Sequence, residues 1–275
     1  MCVHPVTCLV SLMTIRYSRC PEVGQSSLAS PIASTMRAIL LISFLFVSAT
    51  ARAADLTVFV LDRNGKPLQG AVVLVDSSVQ GARPAAVMEA TVAQEKLRFV
   101  PDVTVVGLGA KVNFSNLDTW DHHVILGVMG AGGVYLDPGQ NTQFRLAGRL
   151  RNKPPASDSK VLSQPGPYLL GCHFHGSMHG HIYVADTPWA KLSGEDGKVM
   201  VQGVPEGPAR IRIWHPDQIV DGAPTAVLVA DNMRTMTIST QIVPVPRKTV
   251  PSGDSYFSLA PASSQISVKS LAHTK

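Results

Sequence analysis

Between two apolar stretches the chain runs Gly171-Cys172-His173-Phe174-His175-Gly176-Ser177-Met178-His179-Gly180. A thiol, an imidazole and a thioether recur at every third position, at Cys172, His175 and Met178, on a loop whose glycines let side chains converge on one point. Soft sulfur ligands combined with imidazole select copper, and two histidines with one cysteine and a weak methionine describe a blue-copper centre. The second histidine has to come from elsewhere. Asp121-His122-His123-Val124, which follows the turn-like Asn116-Leu117-Asp118, can supply it. A lone cysteine is more often a small core hydrophobe, and a methionine core filling. Thiol, imidazole and thioether at this spacing argue instead for a metal.

The other histidines read differently. His123, His173, His179 and His181 are expected to be solvated or to flank the ligands. If alternation holds into the exit strand, His179 and His181 share one face, where a surface metal is within reach. Trp189, Trp214 and His215 read as packing residues. Ser177 lies near His175 and His179 but has no nucleophile elbow, and the chain carries no G-x-S-x-G, Walker loop or dinucleotide fingerprint. No enzymatic activity is expected.

The elements that must position these ligands are strands. The chain has 275 residues with 22 Gly and 20 Pro, and it lacks long amphipathic stretches, so many short strands joined by turns are predicted. Strands are expected at Leu56–Leu61, Ala71–Val75, Leu97–Val100, Val103–Val106, Lys111–Phe114, His123–Leu126, Gln143–Leu146, Tyr168–Gly171 and His181–Val184. A polar, Pro-bearing surface loop is expected at Arg149–Gln164. A second strand-and-turn pattern follows at Lys198–Val201, Ala209–Trp214, Ala226–Val229 and Met236–Ile242. The fold class is all-β, with a sandwich over 55–186, a small β segment over 187–245 and a disordered tail over 246–275.

The first 54 residues read as a leader. Met36-Arg37 opens onto the apolar run Ala38–Val47, and Ala49-Thr50-Ala51 and Ala51-Arg52-Ala53 have the form of a cleavage site. Translation is expected to start at Met36, with 36–54 a signal peptide removed near Ala54 or Asp55. The alternative is an uncleaved membrane anchor, for which the run is short; after cleavage no stable membrane insertion is expected. Removing four arginines and Glu22 leaves 20 basic against 18 acidic residues, a balance of +2, which gives no support to nucleic-acid binding. It also removes Cys2, Cys8 and Cys20. Cys172 becomes the only thiol of the mature chain and cannot form an internal disulfide.

Cys172-x-x-His175-x-x-Met178 resembles the short ligand loop of the cupredoxins, with the spacing of amicyanin, and Val112-Asn113-Phe114-Ser115-Asn116 followed by His122 is similar to their other ligand segment. The resemblance implies a Greek-key β-sandwich with copper held at one end by His122, Cys172, His175 and an axial Met178. It assigns His122, not His123, as the upstream ligand. Amicyanin and plastocyanin usually carry Asn immediately after that histidine, where this chain has His123. A closer likeness, over about Leu56 to Pro216, is to secreted plastocyanin-like proteins named for methylamine utilization. These share the paired histidines before Val124, the Gly171-to-Gly180 loop, and a Thr187-Pro188 continuation into a carboxypeptidase-regulatory-like segment.

The expected function is therefore electron transfer by a periplasmic or secreted copper protein, its partner another exported redox protein. Two alternatives differ in class. One is copper binding or delivery without redox turnover, which the surplus histidines favour. The other is a structural β-sandwich with a vestigial site.

Overall fold

A computed structural model describes residues 52–81, 83–230 and 235–245. The expected signal peptide up to Ala51 and the expected tail from Pro246 lie outside the described residues. Strand β1 (Ala53–Leu61) takes in Ala53 and Ala54, at the expected cleavage point, and alternates buried with partly exposed positions. It reverses at Asp62-Arg63-Asn64-Gly65-Lys66. There the Asp62 carboxylate accepts from the amides of Asn64 and Lys66, both at 2.8 Å, and Gly65 takes φ +76°. This side-chain mimic of a turn is what Asp offers at such a position. Strand β2 (Val72–Ser77) follows, with Val72 to Val75 fully buried.

From β3 onward the chain builds a separate sandwich. Strands β3 (Glu89–Gln94), β4 (Phe99–Val100), β5 (Val103–Gly107), β6 (Lys111–Asn116), β7 (His122–Val128), β8 (Thr142–Leu146), β9 (Ala156–Val161), β10 (Gly166–Cys172) and β11 (His179–Ala185) form two sheets. One has the order β4-β3-β6-β9 and the other β5-β11-β10-β7-β8. The hairpins β7–β8 and β10–β11 lie side by side in the second sheet, while β6 and β9 cross to the first, a Greek-key connectivity. Their inner faces share a core that includes Phe114, Phe144, Leu170, Ile182 and Cys172.

Strands β12 (Ala190–Leu192), β13 (Lys198–Pro205), β14 (Gly207–Trp214), β15 (Thr225–Val229) and β16 (Thr235–Ser239) then return to β1 and β2. They give sheets β13-β1-β16 and β12-β2-β14-β15. This corrects two expectations. The copper-type sandwich does not begin at residue 55, because β1 and β2 pair with the C-terminal strands and not with β3 to β11. The segment 187–245 is likewise no small appendage but most of a second sandwich, into which the first is inserted. Consecutive strands usually neighbour one another; here a sandwich intervenes between β2 and β12.

Two further corrections concern strands. The expected surface loop Arg149–Gln164 contains β9, which pairs antiparallel with β6 from Lys111↔Val161 to Asn116↔Ala156. Its Ala-Ser-Asp-Ser-Lys-Val sequence is polar because it is an edge strand, and edge strands favour charged side chains. Conversely, the strand expected from Leu97 shrinks to Phe99–Val100, since Lys96 and Leu97 take left-handed φ of 52° and 60° in a tight turn.

The two sandwiches pack through a third apolar cluster. Val72, Leu74 and Trp214 from the outer face of the β2 sheet meet Val103, Met129, Leu169, Tyr183 and Ala185 from the outer face of the β10 sheet. The ring centroids of Tyr183 and Trp214 lie 5.2 Å apart. At the point where the insertion leaves and returns, Arg212 binds both ends. Its Nε and Nη2 donate to Asp76 at 2.7 and 2.9 Å, and Nη2 also donates to Asp186 at 2.6 Å. The Thr187 hydroxyl adds a 2.7 Å bond to the carbonyl of Val75.

Candidate metal centre

The ladder between β7 and β10 sets which side chains can meet. Cys172 pairs with Val124, so Cys172 and His122 both lie on inward positions at the same end of the sandwich. The loop after β10 is closed by its own backbone, with the His175 amide on the Cys172 carbonyl at 3.3 Å and the Met178 amide on the His175 carbonyl at 2.9 Å. This winding returns His175 to Cys172. The Cys172 sulfur lies 3.5 Å from Nδ1 of His122 and 3.4 Å from Nδ1 of His175. The three ligand atoms lie within 4.8 Å of one another. His122 is fully buried and His175 only partly so.

Met178 is 1% exposed and belongs to the same core cluster as Cys172. The loop's exit is fixed by close packing: a Cβ on Gly180 would lie 2.7 Å from the Cβ of Phe99. Only glycine lets β11 approach the opposite sheet at this point. Among the four residues that the sequence nominates, the structure brings His122, Cys172 and His175 into one group and buries Met178 in the same core.

The ring of His122 is oriented from behind. Its Nε2 lies 3.0 Å from the Asp118 carboxylate, which also accepts from the amides of Lys96 at 2.6 Å and Leu97 at 2.9 Å. A carboxylate only accepts, so Nε2 carries the hydrogen and Nδ1 presents its lone pair toward Cys172. Asn116 holds the loop that carries both. Its amide donates to the carbonyls of Trp120, Leu146 and Ala147 at 2.7, 3.2 and 3.0 Å, and its Oδ1 accepts from the Asp118 amide at 2.9 Å. Asp121 is tied to Arg145, whose guanidinium holds that carboxyl below the usual range, and the Gly148 amide adds to the effect.

The sequence marked Asn116 and Asp118 as turn residues, with Asn116 closing the segment before His122, but gave neither a hydrogen-bonding role. The signal available was two Asx residues just upstream of a histidine, the side chains best able to hydrogen-bond nearby backbone. Asn116 and Asp118 steady these loops. Gln94, at the end of β3 opposite Asn116, was also missed. It is fully buried, and its amide has no hydrogen-bond partner among the described residues.

His123, His173, His179 and His181 fall on the outer face of the β10 sheet or its continuation. His123 and His173 face each other with ring centroids 5.5 Å apart. His179 and His181 share a face, as alternation predicts, and line a cleft of about 290 Å³ together with Asp102 and Asp217. Trp189, Trp214 and His215 are buried.

The donor set fits a soft or borderline transition metal. One thiol and two imidazole nitrogens, in a pocket closed by apolar packing and by a carboxylate behind one ligand, match copper or zinc and do not suit calcium or magnesium. Among the described residues no helix is long and apolar enough to cross a membrane.

No family model matches the chain, and no match is found among curated proteins. Solved structures of cupredoxins are similar to it. Auracyanin from Roseiflexus castenholzii is 20% identical, with 37% of this chain and 99% of that chain covered and a TM-score of 0.29. Amicyanin from Paracoccus versutus is 20% identical, with 41% and 97% covered and a TM-score of 0.26. A purple cupredoxin from Nitrosopumilus maritimus is 18% identical, with 35% and 99% covered and a TM-score of 0.25.

Proposed function

We propose that this protein is an exported mononuclear copper protein that carries electrons between other exported redox proteins in the periplasm, and that it is not an enzyme. The observation that carries the proposal is the convergence of His122 Nδ1, Cys172 Sγ and His175 Nδ1 at one buried end of a sandwich. Bound there, copper would supply a one-electron couple. Cys172 would offer a thiolate, His122 and His175 neutral imidazoles, and Met178 a thioether.

The protein's own task in this reading is to keep its ligands still. Asp118 fixes the tautomer and tilt of His122, Asn116 fixes the loop that carries them, and the Phe99–Gly180 contact fixes the exit of the ligand loop. Such outer partners hold first ligands in place and tune them. His175 is the least buried of the three ligands. Its rim, beside the half-exposed Phe174, is where a partner would exchange electrons.

The test is to load the purified protein with Cu(II) and record its visible spectrum. A thiolate-to-copper charge-transfer band is expected in the wild type and absent in Cys172→Ala, with the fold of the variant checked by circular dichroism. Tight copper binding without that band would favour delivery of copper over electron transfer. No binding at all would leave a structural sandwich.

A further inference from the structure

His123 and His173 flank the buried ligands in sequence, one following His122 and the other following Cys172. The β7–β10 register, in which Cys172 pairs with Val124 and Gly171 with Ile125, puts His173 directly across from His123 at the next step. The 2.8 Å bond from the His173 amide to the His123 carbonyl shows that the ladder reaches this far. Directly opposed residues carry their Cβ atoms about 4.5–5.5 Å apart on the same face of the sheet. Here that face is the outer one.

The ring geometry of this outer pair repeats that of the inner one. The centroids of His122 and His175 lie 4.9 Å apart at 60°, and those of His123 and His173 lie 5.5 Å apart at 59°. Two imidazoles bound to one ion at about 2.0–2.1 Å put their ring centres roughly 5 Å apart. Both pairs sit near that span. His173 is exposed and His123 partly so, leaving further coordination positions to water. Phe174 lies edge-to-face with both rings, at centroid distances of 5.7 and 6.1 Å, and limits their freedom.

The charge that would oppose a cation here is already answered. Arg145 is the cross-strand neighbour of His123 on β8, and its guanidinium is bound to the Asp121 carboxylate.

We propose that His123 and His173 form a second metal site, a solvent-facing two-imidazole clamp for a borderline divalent cation such as Cu²⁺ or Zn²⁺. Imidazole ligands suit these ions, whereas calcium and magnesium require oxygen. The site has no thiolate, so Cu²⁺ held there gives no intense visible band.

A titration of the purified protein with Cu²⁺, followed by paramagnetic resonance and visible absorption, tests it. Copper bound beyond the amount that produces the thiolate band is expected, with the resonance signature of nitrogen and oxygen ligation. His123→Ala and His173→Ala should each weaken that binding by at least the roughly tenfold that even an outer partner of a metal site commands, and both should keep the thiolate band. Calorimetric titration with Zn²⁺, comparing Cys172→Ala with Cys172→Ala/His173→Ala, separates this site from the buried one. Zn²⁺ binding that depends on His173 should persist whether or not a thiolate band ever forms. Binding indifferent to both histidines, or no metal taken up beyond the buried set, overturns the proposal.

Discussion

The Asp118 carboxylate lies 3.0 Å from Nε2 of His122, on the side of the ring away from the Cys172 sulfur. It is the acceptor for three donors, the His122 ring and the amides of Lys96 and Leu97. Asn has only one oxygen and brings an NH₂ group, so in Asp118→Asn at least one donor faces another donor. The variant should bind copper about 10–100-fold more weakly, measured by competition with a chelator of known affinity. Unchanged affinity would remove Asp118 from the site.

Gln94 makes the opposite case. A buried polar group without a partner costs about 1–3 kcal/mol, and neither polar atom of the Gln94 side chain has one among the described residues. Gln94→Leu should leave the metal-free protein as stable or more stable, read from urea denaturation midpoints. A clear loss of stability would mean that the amide is satisfied by ordered water.

Trp214 joins the sandwiches and is only 6% exposed. Trp214→Ala should cost about 3–5 kcal/mol, the usual range for emptying a large aromatic site. It should also divide thermal unfolding, monitored by calorimetry, into two transitions, one for each sandwich. A single transition at the wild-type temperature would show that the interface carries little of the coupling.

Tyr135 lies over Gly171, where an added Cβ would come within 2.8 Å of its hydroxyl, and it donates to the Ile125 carbonyl at 3.2 Å. Burial pushes its pKa from the ordinary 10.0 up to about 12. A raised folded-state value means stability that is intact below the unfolded value and lost as pH rises from about 10 to about 12. Tyr135→Phe should flatten part of that alkaline decline, measured as denaturation midpoints across the window. Tyr168 and Tyr183, also raised by burial, would account for the remainder.

The candidate ligand group was legible because its spacing is local. Cys172, His175 and Met178 sit on one loop, and only His122 had to be recruited from elsewhere. The strands were legible wherever apolar alternation marks them, as in β1, β7 and β14. Strand β9 escaped because a polar edge strand contributes backbone pairing and little apolar pattern. The parentage of β1 and β2 escaped for a different reason. Alternation tells a strand which face to bury but not which sheet to join, so Leu56, Val58 and Val60 would read the same in either sandwich. Asp118 and Asn116 act through hydrogen bonds to backbone distant in sequence, such as Lys96, Leu97, Leu146 and Ala147, and no local pattern announces those.

The pairing of β1 has a consequence for the order in which the molecule can be finished. Thr57 sits between Met200 on one side and Thr235 on the other, so among the described strands the first waits for the last. Every strand of the inserted sandwich, by contrast, lies within the continuous stretch Glu89–Ala185. Contacts closer in sequence form sooner. The end that holds Cys172 can therefore close while the sandwich that carries it is still two strands without partners, and an unpaired apolar strand exposed during folding is where chains aggregate.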